Sequence, residues 1–358
     1  YGYGRQLRQR VAIYDLGGGT FDLSIMEIDG DIFEVLGTAG DSYLGGDDFD
    51  LRLVEYIVDR FYSDYGIDLR ETRESLQKLR ETCEQAKKLL SDHPEVLVSI
   101  PDLQIPGTSK TMNLEYVLSQ DEFHSLVNDL VRRTFIVCDE AMKAARCSPQ
   151  DLDGVIMVGG STRMPIVREA VGHYFGKVPD ASLNPDEVIS LGAAIHAQML
   201  IDSGAGERGM ASAHLLDVTP LSLRIGTVGG YTEVLIERNT PIPIERSKVF
   251  TTVRDGQDCV KIRIYQGESK REEYNVMLGC FDFTGLPLAA RGKVKIEVSF
   301  RLDASGIVHV TAKDLDTGKQ QRVSVELSSA LSEEEVELLR LRGGEIRSLS
   351  DEYDQVIS

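Results

Sequence analysis

The sequence has no apolar run approaching the roughly 18 residues that a membrane-spanning helix needs, and no charged-then-apolar leader opens it. Neither insertion nor export is expected of it. It also lacks an initiator Met and begins at Tyr1, as a fragment would. Basic charge is scarce: 39 Lys and Arg stand against 58 Asp and Glu, a formal net charge of -19. No basic patch stands out, so no nucleic-acid or membrane partner is expected and the acidity is read as serving solubility. Cysteines number five (Cys83, Cys138, Cys147, Cys259, Cys280), are scattered and form no CxxC pair. That usage argues for a reducing, cytoplasmic location with the thiols acting as small buried hydrophobes.

What is present is ordinary globular material, 42% hydrophobic and 27% charged over 358 residues, enough for two or three domains. From Val11 the pattern reads strand, strand, strand: VAIYDL, FDLSIMEI, then DIFEVLGTAG, the last two joined at Asp29-Gly30, a strong hairpin signal. Asp47 and Asp48 sit where acidic residues favour a helix start, and helical spacing continues to Gly66. Arg70 to Leu90 reads as a further amphipathic helix, followed by a β-rich VLVSI and a helix from about Asp121 to Ala145. GVIMVGGSTRMPIVREAVGHYFG then repeats the opening pattern: apolar strand, paired glycines, hydroxyls, and a helix started at Pro165. Two such units suggest a pseudo-symmetric nucleotide cleft. Asn184-Pro185-Asp186-Glu187 caps a small-residue helix, VISLGAAIHAQML.

Asp202 to Ala213 is rich in Gly, Ala and Ser and reads as a linker. Beyond it, alternating segments such as SKVFTTV, CVKIRIYQ and GIVHVTAKD predict a compact antiparallel sandwich over Leu215 to Leu327. Ser332 and Glu335 form a capping box for a last helix, interrupted at Gly343-Gly344.

The glycines within VAIYDLGGGTFDLSI carry the chemistry. Consecutive glycines let backbone N–H groups converge on an anion with no Cβ in the way, which points to a phosphate near Gly17, Gly18 and Gly19. Asp15 and Asp22 flank the bend, and carboxylates beside phosphates make sense with a hard cation such as magnesium between them. Thr20 offers a hydroxyl to a terminal phosphate or its attacking water. A tight hairpin using glycine for geometry alone accounts for the same residues.

DLGGGTFD, with LGGDDFD at Leu44 to Asp50, VGGSTRMP at Val158 to Pro165, NPDEVISLGAA at Asn184 to Ala194 and LLDVTPLSL at Leu215 to Leu223, resembles the DnaK-type seventy-kilodalton heat-shock chaperone family. That family belongs to a broader group with actin and the sugar kinases. The resemblance implies an α/β actin-like ATPase lobe over residues 1–204 (helical subdomain about 49–127), a linker at 205–217, an antiparallel β-sandwich peptide-binding domain at 218–329, and a short C-terminal helical remnant of the lid at 330–358.

It also implies roles residue by residue. Gly17, Gly18, Gly19 and Thr20 match the phosphate-contacting turn; Asp15 and Asp22 match carboxylates around the metal, so that Thr20, Asp15 and Asp22 form the catalytic set. Gly159, Gly160, Ser161 and Arg163 match the adenosine-side loop, and Asp186 the ribose-side aspartate. Within CEQAKKLLS, Glu84, Lys87 or Lys88, and Ser91 match the adenine-clamping helix, spaced to share one helical face. Without the resemblance this is an ordinary solvated helix. Lys88 stands where the family usually has Arg, and an ammonium stacks on a base poorly, so weaker adenine binding is expected.

In the sandwich, Phe250, Val260 and Ile262 match groove-lining positions, and Val228 and Val253 the pair that arches over a bound chain; Ile264 reads as core. The implied activity is an ATP-dependent molecular chaperone that binds extended hydrophobic segments, with ATP or ADP and magnesium as cofactors and potassium as a further ion. Implied partners are unfolded client polypeptides, a J-domain co-chaperone and a nucleotide-exchange factor. The family's first lobe precedes the matched region, so this stretch alone is not expected to hydrolyse ATP efficiently, and a non-hydrolysing holdase is the alternative. His214 departs from the family's apolar linker, where docking as a strand would cost desolvation; a lone His is more often a solvated loop residue, and that is the preferred reading.

Overall fold

A computed structural model of the chain describes residues 1–2, 4–108, 110–204, 214–303 and 306–326. The chain divides into two compact units, Tyr1–Pro220 and Leu221–Ser358. The expected linker residues 205–213, the lid at 330–358, its capping box at Ser332 and Glu335 and the Gly343-Gly344 break lie outside the described residues.

The first unit is built on a five-stranded sheet. Strands β1 (Arg8–Leu16), β2 (Phe21–Asp29) and β3 (Ile32–Asp41) form the expected antiparallel meander, and Gly30, with φ of 63°, takes the left-handed turn position between the last two. Helices α1 (Gly46–Tyr65) and α2 (Arg73–Leu89) follow. α2 starts later than its sequence pattern predicts, because Leu69–Glu71 form a separate 3-10 turn and Thr72 is extended. Next comes a hairpin of β4 (Glu95–Gln104) and β5 (Thr111–Ser119). Sequence patterning isolates only the first of these strands. In β5 the buried Leu114, Tyr116 and Leu118 alternate with exposed Asn113, Glu115 and Val117, a period-2 pattern.

Helix α3 (Gln120–Ala144) opens with a capping box in which the Ser119 hydroxyl accepts from the Glu122 N–H and the Glu122 carboxylate accepts from the Ser119 N–H. Strand β6 (Gly154–Val158) returns beside β1 and runs parallel to it. Helix α4 (Pro165–Phe175) carries Pro at its start and Gly176 in the left-handed conformation at its end. Helix α5 (Val188–Gly204) follows Asn184, whose carbonyl accepts from the Glu187 and Val188 N–H groups; it extends through Asp202 to Gly204, residues whose composition reads as linker. Strand β7 (His214–Leu216) pairs parallel with Ile32–Glu34 of β3, completing the order β6-β1-β2-β3-β7. The linker's last residues are therefore a strand.

One face of this sheet carries the core. Tyr14, Phe21, Leu23 and Ile25 pack with Phe49, Leu53 and Ile57 of α1 and with Val127, Val131 and Cys138 of α3, all buried. Each such side chain contributes on the order of 1.5 to 3 kcal/mol by leaving water. The Tyr14 hydroxyl, buried among them, donates to Thr134 Oγ1 at 2.8 Å, so its polar atom is satisfied. Of the cysteines, Cys83 and Cys138 are buried as expected, whereas Cys147 and Cys259 are half-buried and Cys280 is exposed; all five are free.

The second unit is a sandwich of two four-stranded sheets. One has the order β10-β13-β14-β15 (Ile244–Thr251, Lys295–Leu302, Ile307–Asp314, Gln320–Glu326); the other β12-β11-β8-β9 (Val276–Thr284, Cys259–Gln266, Leu223–Gly226, Thr232–Ile236). Their inner faces bury Ile225, Ile262, Ile264, Phe283, Val298 and Phe300, as period-2 alternation requires.

Helix α3 approaches β3 closely at Gly37, where an added Cβ would come within 2.7 Å of the Ala145 N and 3.0 Å of the Ala141 O. Gly37→Ala should therefore push helix and strand apart and destabilise the first unit by about 1 to 3 kcal/mol; urea unfolding followed by circular dichroism would reveal the loss as a lowered midpoint of that unit's transition.

Candidate functional site

The glycine bend between β1 and β2 is held from behind. Gly17 N–H donates to the Thr20 carbonyl at 3.0 Å, closing the turn, while the Gly17 carbonyl accepts from the Gly46 N–H at 2.9 Å and the Gly18 carbonyl from the Asp47 N–H at 2.8 Å. The Ser161 hydroxyl adds a second bond to the Gly17 carbonyl at 2.9 Å. A trans peptide unit points its C=O and its N–H in opposite directions, so anchoring these two carbonyls onto the start of α1 turns the N–H groups of Gly18 and Gly19 outward. Gly18, Gly19 and Thr20 are exposed, and no backbone partner for the Gly18 and Gly19 N–H groups occurs among the described residues. Successive outward amides form an anion-binding concavity.

The crowding behind the bend explains further glycines. A Cβ on Gly45 would stand 2.3 Å from the Gly18 carbonyl oxygen, and one on Gly46 2.5 Å from Ser161 Oγ. The Asp48 carboxylate fixes Gly45 by accepting its N–H at 2.8 Å. The second glycine bend lies beside the first, since β6 is β1's parallel neighbour with Val158 opposite Asp15; the two bends are adjacent at one end of the sheet rather than across a cleft from each other. Gly159 has φ of 85°, and its Cβ would meet the Leu16 carbonyl oxygen at 2.3 Å and Asp15 Oδ1 at 2.7 Å, so only glycine fits.

Asp15 and Asp22 stand directly opposite each other in the β1–β2 ladder. Desolvation pushes the Asp15 carboxyl above the usual carboxylate range and the charge of Asp22 adds to it. Desolvation raises Asp22 as well, offset in part by a hydrogen bond from Thr20. Neither has a Lys or Arg partner within ion-pair distance among the described residues. Two facing carboxylates without a cation, next to outward amides, are a donor set suited to a hard divalent ion with retained waters. The described residues hold no cluster of three or more metal-ligating His, Cys, Asp or Glu side chains.

On α2, the side chains of the expected clamp diverge. Lys87 is buried and turns inward, its ammonium donating to the Gly46 carbonyl at 2.9 Å and to Asp50 Oδ2 at 2.7 Å. Lys88 is exposed and pairs with Glu84 at 2.6 Å, which holds the Glu84 carboxyl below its ordinary range. Glu84 and Lys88 thus present the open face, and Ser91 lies just past the helix end, its N–H donating to the Lys88 carbonyl. On the other flank, Arg163 donates to Asp186 at 2.7 Å and to Asn184 at 3.1 Å, and Gly160 lies against Asp186, whose Oδ1 is 3.6 Å from where its Cβ would be. The structure thereby brings the bend, Gly159 to Arg163 and Asp186 into one continuous surface.

In the second unit, a cavity of about 470 Å³ gathers all five expected groove residues, Val228, Phe250, Val253, Val260 and Ile262, together with Ile225 and Ile296. Ile262 is buried and forms its floor; Val228 and Val253 are exposed at 67% and 48%, as residues at a mouth are. Ile264 is buried in the core cluster.

Gly45, Gly46, Asp48 and Asp50 escape sequence reasoning as site residues. The paired glycines directly ahead of a helix in LGGDDFD are the signal that could have found them, since glycine there marks close approach of another backbone.

Comparison with known proteins gives the family. The family model described as Hsp70 protein matches residues 1–353. The chain is 47% identical over 329 residues to the chaperone protein DnaK of Thermotoga neapolitana, covering 92% of this chain and 55% of that protein, and equally so to that of Thermotoga maritima. It spans about half the length of these curated relatives. With outward amides at the glycine bend, and a match that runs through both units, the chain belongs to the Hsp70 family.

Proposed function

We propose that the chain is the part of an ATP-dependent molecular chaperone that forms one wall of a nucleotide cleft and the whole of a peptide-binding cavity. The observation that carries this reading is the pair of outward amides at Gly18 and Gly19, flanked by two facing carboxylates, on the same chain as a cavity lined with apolar side chains. The amides of Gly18 and Gly19 hold phosphate oxygens. Asp15 and Asp22 would hold magnesium, which would supply charge neutralisation at the phosphates. Thr20 presents its hydroxyl beside them. Glu84 and Lys88, Ser91, the Gly159 to Arg163 loop and Asp186 flank the adenosine; Lys87 acts from behind, tying α2 to the start of α1. With only one wall, water and phosphate are not positioned for in-line attack, so hydrolysis belongs to the complete protein. Potassium, a J-domain partner, an exchange factor and the reducing cytoplasm complete the reading.

In the second unit an extended client segment inserts one apolar side chain over Ile262 and beneath Val228 and Val253. Burying that side chain contributes roughly 1.5 to 3 kcal/mol. Such binding is weak and tolerant of sequence, as promiscuous recognition requires.

Three outcomes test these assignments. At Gly18 a new Cβ meets only Asp47 Oδ1 within 4 Å, at 3.8 Å; in Gly18→Val the side chain enters the phosphate space, so affinity for MgADP in titration calorimetry should fall by about tenfold or more. Retained affinity would show the bend to be only a turn. For the carboxylates, a pKa raised in the folded state means that stability is full below the ordinary carboxylate value and declines as pH rises through the folded value. Asp15→Asn should therefore raise the melting temperature at neutral pH without metal, with a gain that shrinks as pH falls toward 3.8, and should remove the magnesium dependence of ADP binding. Finally, Val260→Phe should fill the cavity and weaken a fluorescent Leu-rich peptide about tenfold in anisotropy titrations. Unchanged peptide binding would place the client elsewhere, and peptide binding without any nucleotide response would favour a holdase.

A further inference from the structure

Beside the nucleotide surface the first unit has a polar cavity of about 340 Å³, between the start of α4 and the loop 181–185 that leads to α5. Its charged lining residues are Arg163 and Arg168, and no carboxylate lines it. Residues 17–20, Gly159, Gly160, Ser161 and Asp186 do not line it either, so it is distinct from the two glycine bends. We propose that this cavity binds a free oxyanion of the phosphate class, held by Arg168 and Asn184 with Arg163 at its edge. The proposal does not depend on the reading of the bend between β1 and β2.

Arg168 supplies the charge. Its Nε donates to the Thr162 carbonyl at 3.0 Å, which pins the planar guanidinium at the wall, and its two terminal amino groups have no partner among the described residues. A guanidinium held in this way keeps a fork of N–H groups matched to two oxygens of one anion. Asn184 adds a neutral donor. Its Oδ1 accepts from Arg163 Nη2 at 3.1 Å and from the Asp186 N–H at 3.2 Å; two donors on one side-chain atom identify that atom as the oxygen, so the other is the NH2 group. That NH2 has no partner among the described residues. Arg163 commits one amino group to Asn184 and to Asp186, the latter at 2.7 Å, and its other N–H groups are unengaged among the described residues. The unengaged nitrogen groups of these three side chains all donate and none accepts.

The neighbouring carboxylates are placed elsewhere. Asp186 is paired with Arg163, which cancels that charge and leaves Arg168 as the uncancelled one. Glu169 adjoins Arg168 in the chain, but consecutive side chains on a helix point about 100° apart, and the charge of Glu169 reaches His124 of α3. Asp180 accepts the Ser182 N–H at 2.8 Å, and neither it nor Glu187 lines the cavity. A cation entering here meets no carboxylate. A neutral ligand would form only ordinary hydrogen bonds, whereas bonds between an ionised donor and an anion are about twice as strong, so the donor set favours an oxyanion. The anion is free rather than carried on the nucleotide, because the glycine bends and Asp186, which the proposed nucleotide follows, lie outside the lining. Arg168 is exposed, so the affinity is expected to be millimolar.

The test titrates inorganic phosphate, without magnesium, into the whole chain carrying Gly18→Val, so that the bend does not compete, and follows it by calorimetry. A single millimolar site is expected. Adding Arg168→Gln should weaken it about tenfold or more, and Arg168→Lys about threefold, since the charge remains while the fork is lost. Asn184→Asp keeps the oxygen that accepts from Arg163 and Asp186 but exchanges the NH2 for a charged oxygen, and should abolish binding. Thermal melts by circular dichroism show which variants keep the parent fold; if Arg168→Gln does not, Arg168→Lys and Asn184→Asp decide in its place. ADP on the same Gly18→Val chain is the second arm. Absence of phosphate binding, phosphate binding untouched by these variants in chains that melt like the parent, or an Arg168 dependence seen with ADP but not with phosphate would each overturn the proposal. None of these results bears on the bend, whose own test is the response of MgADP affinity to Gly18→Val.

Discussion

The first unit depends on two carbonyl oxygens. Those of Gly17 and Gly18 accept from the first amides of α1, at Gly46 and Asp47, and this one engagement serves two structural needs. It satisfies helix N–H groups that have no partner within their own helix, and it fixes the peptide planes whose other edges are the outward amides of the bend. Site and scaffold therefore share the same hydrogen bonds. The glycines at 45, 46 and 159 follow from it, because three backbone segments meet where side chains would occupy the same space. So does the inward turn of Lys87, whose ammonium bonds the carbonyl of Gly46 and the carboxylate of Asp50 and so links α2 to the same junction.

The second unit reaches its cavity by other means. Alternation along β11 sends Ile262 and Ile264 to the inner face and Lys261 and Arg263 to the outer one. At Ile264 the neighbouring β8 is paired through Ile225, and the inner face is closed. Toward Val260 that ladder ends, and the cavity opens among Val228, Phe250 and Val253. The opening is thus a consequence of unequal strand lengths: β11 has eight residues and β8 four. Apolar side chains that would be core under a longer neighbour become floor and rim.

Much of this was legible in the sequence, and the exceptions share a cause. The meander, the Asp29-Gly30 turn, the start of α4 at Pro165 and the sandwich alternation are local patterns, set within a few residues. The glycine bend was legible as a run of bare amides because three consecutive glycines strip every Cβ from one short turn. The facing of Asp15 and Asp22 follows from a tight bend between paired strands, yet the engagement of the Gly17 carbonyl by Gly46 and Ser161 joins residues 29 and 144 positions apart, and no periodicity encodes that. Nor could spacing tell Lys87 from Lys88; the packing of α1 against α2 decides which turns inward. The three residues of β7 are too few to show an alternation, and they become a strand because β3 offers an unpaired edge.

The reach from Asp15 to Asp22 makes two demands that conflict in isolation. Outward amides at Gly18 and Gly19 favour an anion, while the carboxylates on either side repel one. A free anion would be held by the amides and opposed by Asp15 and Asp22; a free cation would be drawn to the carboxylates and opposed by the amide dipoles. Only a ligand that carries both signs, its negative end at the bend and its positive end between the strands, satisfies every group at once. The desolvation and mutual repulsion that raise Asp15 are then relieved by the positive end. On the proposed reading this is why the ligand is a metal-bound nucleotide rather than phosphate or metal alone: the two halves of the site are each incomplete, and the same short stretch of backbone holds both.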